Sequence, residues 1–183
     1  MPDQVKTRMF LVGFVTCILM STPIHGFADE RDEAQHQIKD ASQQHALGRM
    51  FEYGLGRDRD DVKAAEWYTK AAAQDFPDAL YRLGVLHENG WGVPRDVALA
   101  AHLYARAARY GHAFAQHDLA FMYMSGTGVP KDHVQAYKWL KIAAMTRADL
   151  MTKHLSHIAG QMTSIQIEEA EHLARLWFTE RDI

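Results

Sequence analysis

Cysteine is nearly absent from this chain. One occurs in 183 residues, Cys17, so no disulfide framework and no cysteine-based zinc site can be built. Proline is also sparse, with five in all. Beyond residue 28 only Pro77, Pro94 and Pro130 remain, which leaves long stretches free to be helical. No basic stripe is present: Lys and Arg number 20 against 23 Asp and Glu, for a net charge of −3. Binding to a phosphate backbone needs clustered cations, so nucleic acid is excluded as a partner. The longest apolar run, Met9 to Met20, has twelve residues. A permanent membrane span needs roughly 20.

What the chain does have is a repeat. The stretch from Leu83 to Ala108 has counterparts 36 residues earlier, from Leu47 to Ala72, and 36 residues later, from Leu119 to Ala144. Gly54-x-Gly56 aligns with Gly90-x-Gly92 and Gly126-x-Gly128. Asp60 aligns with Asp96 and Asp132, and Ala64 with Ala100 and Ala136. The pairs Ala71-Ala72, Ala107-Ala108 and Ala143-Ala144 align as well. Self-similarity at this period is the signature of a stacked array of helix–turn–helix units. The expected fold is all-α, built of stacked helix pairs.

Each repeated residue has a physical role. The Gly-x-Gly pair falls where the first helix must stop, and glycine tolerates the left-handed geometry of a helix end. The Asp is placed to cap the second helix. Pro94 and Pro130 stiffen two of the turns. Asp58 stands at that place in the first copy, whose turn is expected to be looser. Gly48 and Gly84 lie inside a helical pattern, where glycine costs about 0.5–1 kcal/mol relative to alanine. Close helix packing would offset that cost, with Trp67, Tyr104 and Trp139 as the bulky groups opposite. Ala120 keeps the third site small.

The pattern LG-x-x-aromatic-x-x-G-x-G-V-P-x-D, followed by A-x-x-W and AA, resembles the Sel-1-like repeat family, a relative of the tetratricopeptide repeats. The resemblance covers residues 43–146 well and 147–179 loosely. It implies an α-solenoid acting as a binding or adaptor module. Some secreted relatives carry a disulfide in each repeat. This chain lacks the cysteines for that and depends on packing between repeats.

Residues 1–28 read as a secretory signal, cleaved after Ala28 or, as the alternative, kept as an anchor. Lys6 and Arg8 precede the apolar run, and a small-residue site ends at Ala28. Cleavage there would leave a mature chain at net charge −4, without Asp3, Lys6 and Arg8. The expected location is periplasmic or secreted, with no membrane span after cleavage. Residues 29–42 form a polar lead-in that becomes helical near Gln35. Residues 43–146 are the three repeats, with helices expected near 43–53, 60–74, 78–89, 96–110, 113–125 and 132–146. Residues 147–183 form a degenerate fourth unit and C-terminal cap. Thr163 and Gln166 read there as a capping box opening the last helix.

No reaction is legible. The eleven histidines include His154-x-x-His157 and the pair His112 and His117, but neither matches HExxH. A Ser-x-x-Lys nucleophile is absent at Ser42, Ser125, Ser156 and Ser164. The Gly-x-Gly turns follow helices rather than strands and do not read as phosphate cradles. The expectation is no enzyme, no metal and no cofactor. The alternative is a cell-envelope hydrolase of the kind suggested for some relatives.

Binding remains. By the resemblance to tetratricopeptide arrays, the concave face is lined by positions two before, two after and five after the LG leucine. These are His45, Tyr81 and His117, then Arg49, Val85 and Phe121, then Glu52, Glu88 and Met124. The mixture of aromatic, apolar and ionisable groups suits a segment of a protein partner in the cell envelope. Val85 and Phe121 read equally as core. Trp91, between two glycines at a turn tip, is a separate candidate anchor.

Overall fold

The computed structural model describes residues 40–146 and 148–180. The signal region and nearly all of the lead-in lie outside them. Among the described residues eight helices follow one another, and no strand occurs. They are α1 (Ala41–Tyr53), α2 (Asp61–Ala72), α3 (Pro77–Asn89), α4 (Val97–Arg109), α5 (Ala113–Ser125), α6 (His133–Thr146), α7 (Ala148–Ala159) and α8 (Ser164–Thr179). Helices α1 and α2, α3 and α4, and α5 and α6 are the three repeat pairs. Each second helix also packs on the first helix of the following unit, so the pairs form one continuous stack.

The helix boundaries follow from their caps. Asp40 accepts hydrogen bonds from the Ser42 and Gln43 amides, both at 3.0 Å, and caps α1 at Ala41, while the expected helical start near Gln35 lies outside the described residues. Asp60 accepts from the Lys63 amide at 3.0 Å, Asp96 from Leu99 at 2.9 Å, and Asp132 from Val134 and Gln135 at 2.9 and 3.0 Å. These are the three caps read from the repeat, each worth about 0.5–2 kcal/mol. Gly54, Gly90 and Gly126 end the first helices in the left-handed region, at φ of 66°, 75° and 76°.

The first turn, without the proline, closes with the same backbone hydrogen bond as the others. The Asp60 amide donates to the Phe51 carbonyl at 3.0 Å, and Asp96 to His87 and Asp132 to Tyr123 do the same at 2.9 Å. The left-handed glycine and the capping aspartate set the turn, and a proline between them is dispensable. The second glycine of two turns serves packing between units. A Cβ on Gly92 would lie 2.2 Å from the Asp61 backbone, and one on Gly128 would lie 2.4 Å from the Val97 carbonyl oxygen.

The core is built largely from the second helices. Ala64, Ala71, Ala100, Ala107, Ala136 and Ala143 are buried, and Trp67, Leu103 and Trp139 occupy one buried column. The residues facing the small positions belong to the next column. A Cβ on Gly48 would lie 2.5 Å from the ring of Tyr68, not Trp67, and one on Gly84 would lie 2.6 Å from Tyr104. Successive helical positions point about 100° apart, so Tyr68 and Trp67 cannot serve the same space. The third copy has Ala120 and Leu140 at these positions, both fully buried.

The end of the stack departs from the repeat. Thr163 and Gln166 form the expected capping box, with the Thr163 amide 2.9 Å from Gln166 Oε1. Helix α8 packs on α6. Ala170 and Ala174 face the core, and Lys141 Nζ lies 2.8 Å from Glu171 Oε1.

Candidate partner-binding groove

The first helices share a face, and side chains join each helix to the next along it. Arg82 Nη1 of α3 lies 3.6 Å from Glu52 Oε1 of α1. The Tyr81 hydroxyl of α3 donates to Asp118 of α5 at 3.0 Å. Phe121 of α5 meets the His154 ring of α7 edge-on at 4.8 Å. Together they line a groove.

The predicted columns fall on this face with unequal availability. His45, Tyr81 and His117 are half-buried. His45 sits 5.3 Å from Phe76, and Tyr81 stacks on His112 at 4.5 Å. His117 Nδ1 lies 2.7 Å from Asp118 and its ring lies 4.6 Å from Phe121. Arg49 is exposed, while Val85 and Phe121 are half-buried against the core. The third column is largely committed to packing. Glu52 is buried and accepts a short hydrogen bond from the Tyr68 hydroxyl. Glu88 accepts from Tyr104 at 2.7 Å. Met124, half-buried against the core, takes the place of these carboxylates in the third copy. Trp91 lies on the turn between α3 and α4, 45% exposed.

A pocket of about 280 Å³ opens on this face, lined by His45, Arg49, Asp78, Tyr81, Arg82, His112 and Phe114. Two first helices, α1 and α3, and the start of a third, α5, contribute to it. Four of its residues were not in the predicted columns: Asp78, Arg82, His112 and Phe114. A signal was present, because 78, 81, 82 and 85 are spaced i, i+3, i+4, i+7 and form one helical stripe.

Burial sets the electrostatics of this pocket. Desolvation lowers the pKa of His45 and of His112, against the opposing pull of Asp78. His112 Nδ1 accepts from the Ala115 amide at 3.1 Å and caps α5. His112 Nε2 is 3.2 Å from Asp78 Oδ1. The imidazole is therefore neutral, with its proton on Nε2. Burial likewise raises the pKa of Tyr68, Tyr81 and Tyr104, with the facing carboxylates adding to the shift. These phenols stay protonated and act as donors.

Among the described residues no group of three or more His, Cys, Asp or Glu is placed to hold a metal ion, and no helix is long and apolar enough to cross a membrane. Stacked helix pairs and an open groove define a helical-repeat scaffold. The chain matches the Sel1 repeat model three times, over residues 44–76, 77–112 and 113–145, and it belongs to the Sel1 repeat family. Such repeats generally form non-catalytic scaffolds for protein interaction.

Solved structures agree on the fold. A protective antigen present in uropathogenic Escherichia coli strains, displaying an SLR fold, is 29% identical with a TM-score of 0.71, over 86% of this chain and 33% of that one. A Sel1 repeat protein from Oxalobacter formigenes is 29% identical with a TM-score of 0.58, over 65% of this chain and 51% of that one. Cysteine rich protein B of Helicobacter pylori is 22% identical with a TM-score of 0.55, over 69% of this chain and 95% of that one, and shares the fold. This chain thus spans about half of the Oxalobacter protein and a third of the Escherichia coli antigen. No curated protein matches it.

Proposed function

We propose that the protein is an exported scaffold that captures a segment of a partner protein in the cell envelope along the groove of α1, α3, α5 and α7. One observation carries this reading. Aromatic and ionisable side chains from successive first helices meet along a single open face, with Phe114 49% exposed and Tyr81, His117 and Phe121 half-buried beside it. Rigid aromatics of this kind act as binding anchors at low entropic cost. The signal-like pattern of residues 1–28 supports export.

Affinity capture from an envelope extract tests the proposal. A few residues dominate most interfaces, with losses of about 2 kcal/mol or more each on truncation. The double variant Tyr81→Ala, Phe121→Ser should lose the captured partner while circular dichroism shows its helices intact. Recovery of the same partner by the folded variant would place the site elsewhere, with Trp91 and the turn edge next.

A further inference from the structure

The pocket at the α1–α3 end of the groove differs in charge from the rest of it. Arg49 and Arg82 both line it, and their guanidinium groups lie 6.0 and 5.6 Å from the Tyr53 ring. Their ionic partners are unequal. Arg82 has a long contact with Glu52, whose carboxylate is already held by the Tyr68 hydroxyl. Arg49 has no carboxylate within 4.0 Å among the described residues and lies near the Tyr53 ring and His45. Among the described residues the carboxylate lining the pocket is Asp78, which lies 3.2 Å from the neutral His112 Nε2 and keeps its charge. Toward α5 and α7 the groove changes character, to Val85, Phe121, His117 and His154, with Asp118 bound by Tyr81 and His117.

The pocket's size limits what it can take. At about 280 Å³ it falls below the usual range of about 300–1,000 Å³ for a small-molecule site. It is partly open to solvent, so a chain can enter it. Aromatic walls stand beside the cations, with Tyr81, His112 and Phe114 in ring contact at 4.5–6.0 Å. Arginine forks favour carboxylate oxygens, and of the two here Arg49 is exposed and Arg82 half-buried.

Resting on the groove reading above, we infer that the partner is recognised through an internal Asp or Glu. Its side-chain carboxylate would sit between Arg49 and Arg82, with an apolar or aromatic neighbour running toward Phe121. The charges of the arginines and of that acidic residue are complementary. The apolar steps of the groove give the neighbouring residue its place.

A synthetic peptide array of random decapeptides, capped at both ends and duplicated with free C-termini, tests this against the full chain. Arg49→Gln is the discriminating variant, because Arg49 is exposed and its replacement leaves the core untouched. Capped peptides retained by the wild type should be enriched in Asp and Glu. Arg49→Gln should bind them about tenfold or more weakly, the worth of one charge-assisted hydrogen bond. Substituting the peptide's acidic residue by its amide should weaken wild-type binding by a similar factor and Arg49→Gln binding far less. Capped peptides that need Phe121 but show no acidic preference would overturn the carboxylate proposal and leave the groove reading standing. Retention of free C-termini alone would overturn the internal-residue assignment. Retention of no peptide by the wild type would overturn both.

Discussion

The Tyr104 hydroxyl reaches Glu88 at 2.7 Å by passing over Gly84, whose missing side chain leaves room for the ring. The same three-residue arrangement recurs 36 residues earlier as Tyr68, Glu52 and Gly48. In the third copy all three members change together, to Leu140, Met124 and Ala120. A larger residue at the glycine position thus goes with a smaller one opposite, and loss of the phenol goes with loss of the carboxylate.

Gly84→Leu is therefore expected to destabilise the fold. A Cβ alone would lie 2.6 Å from the Tyr104 ring, and overpacking of this kind costs about 1–3 kcal/mol. The midpoint of a chemical melt should fall. Gly84→Ala should fall less, and Gly84→Ala combined with Glu88→Met and Tyr104→Leu should recover much of the loss by reproducing the third copy. Contacting residues couple in this way, and a mutant cycle measures the coupling. An unchanged midpoint for Gly84→Leu would refute the packing described.

Tyr68→Phe removes the hydroxyl that serves the buried Glu52 carboxylate. A hydrogen bond to a charged group is worth about 1.5–3 kcal/mol. Arg82, at 3.6 Å, remains to offset part of this, so a loss of about 1–2 kcal/mol in the unfolding free energy is expected. Above pH 10 the wild type should also weaken. The folded chain holds Tyr68, Tyr81 and Tyr104 protonated, whereas the unfolded chain ionises them at their ordinary pKa. Ultraviolet titration should show these phenols ionising only as the helical signal is lost.

Acid should act through His112. Its folded pKa is lowered chiefly by burial, with Asp78 and Asp118 opposing and Arg82 adding to the effect. Protonation at Nδ1 would also remove the cap on α5. The unfolded chain binds the proton more readily, so the stability that neutral His112 provides is present above the ordinary histidine pKa and is lost as pH falls through the lowered one. His112→Asn keeps a capping oxygen and does not titrate. The fall in denaturation midpoint between pH 8 and pH 5 should be smaller in that variant than in the wild type. His45, lowered for the same reason, accounts for part of the remaining fall.

Export makes a prediction about mass. Cleavage after Ala28 gives an N-terminus near Asp29, and intact-mass measurement on protein from its native host reads this directly. Intact Met1 in a soluble cytoplasmic fraction would contradict export.

The repeat was legible in the chain because its residues act locally. Glycines that end α1, α3 and α5 and aspartates that cap the following helices work within a few positions of themselves, so their spacing alone gave an all-α array of paired helices. The stripes of the first helices were readable to the same extent: His45, Tyr81 and His117 do share a face. Which bulky residue meets a small one was decided by three-dimensional packing. Trp67 and Tyr68 are adjacent in sequence but point about 100° apart, and only the crossing of α1 over α2 selects the tyrosine. The same holds for the site. Glu52 and Arg49 lie three residues apart on one helix, yet Tyr68 and Arg82 engage the first and, among the described residues, no carboxylate comes within 4.0 Å of the second. That difference depends on side chains arriving from α2 and α3. The period fixes where each helix lies, while the charge left over in the groove is set by contacts between helices.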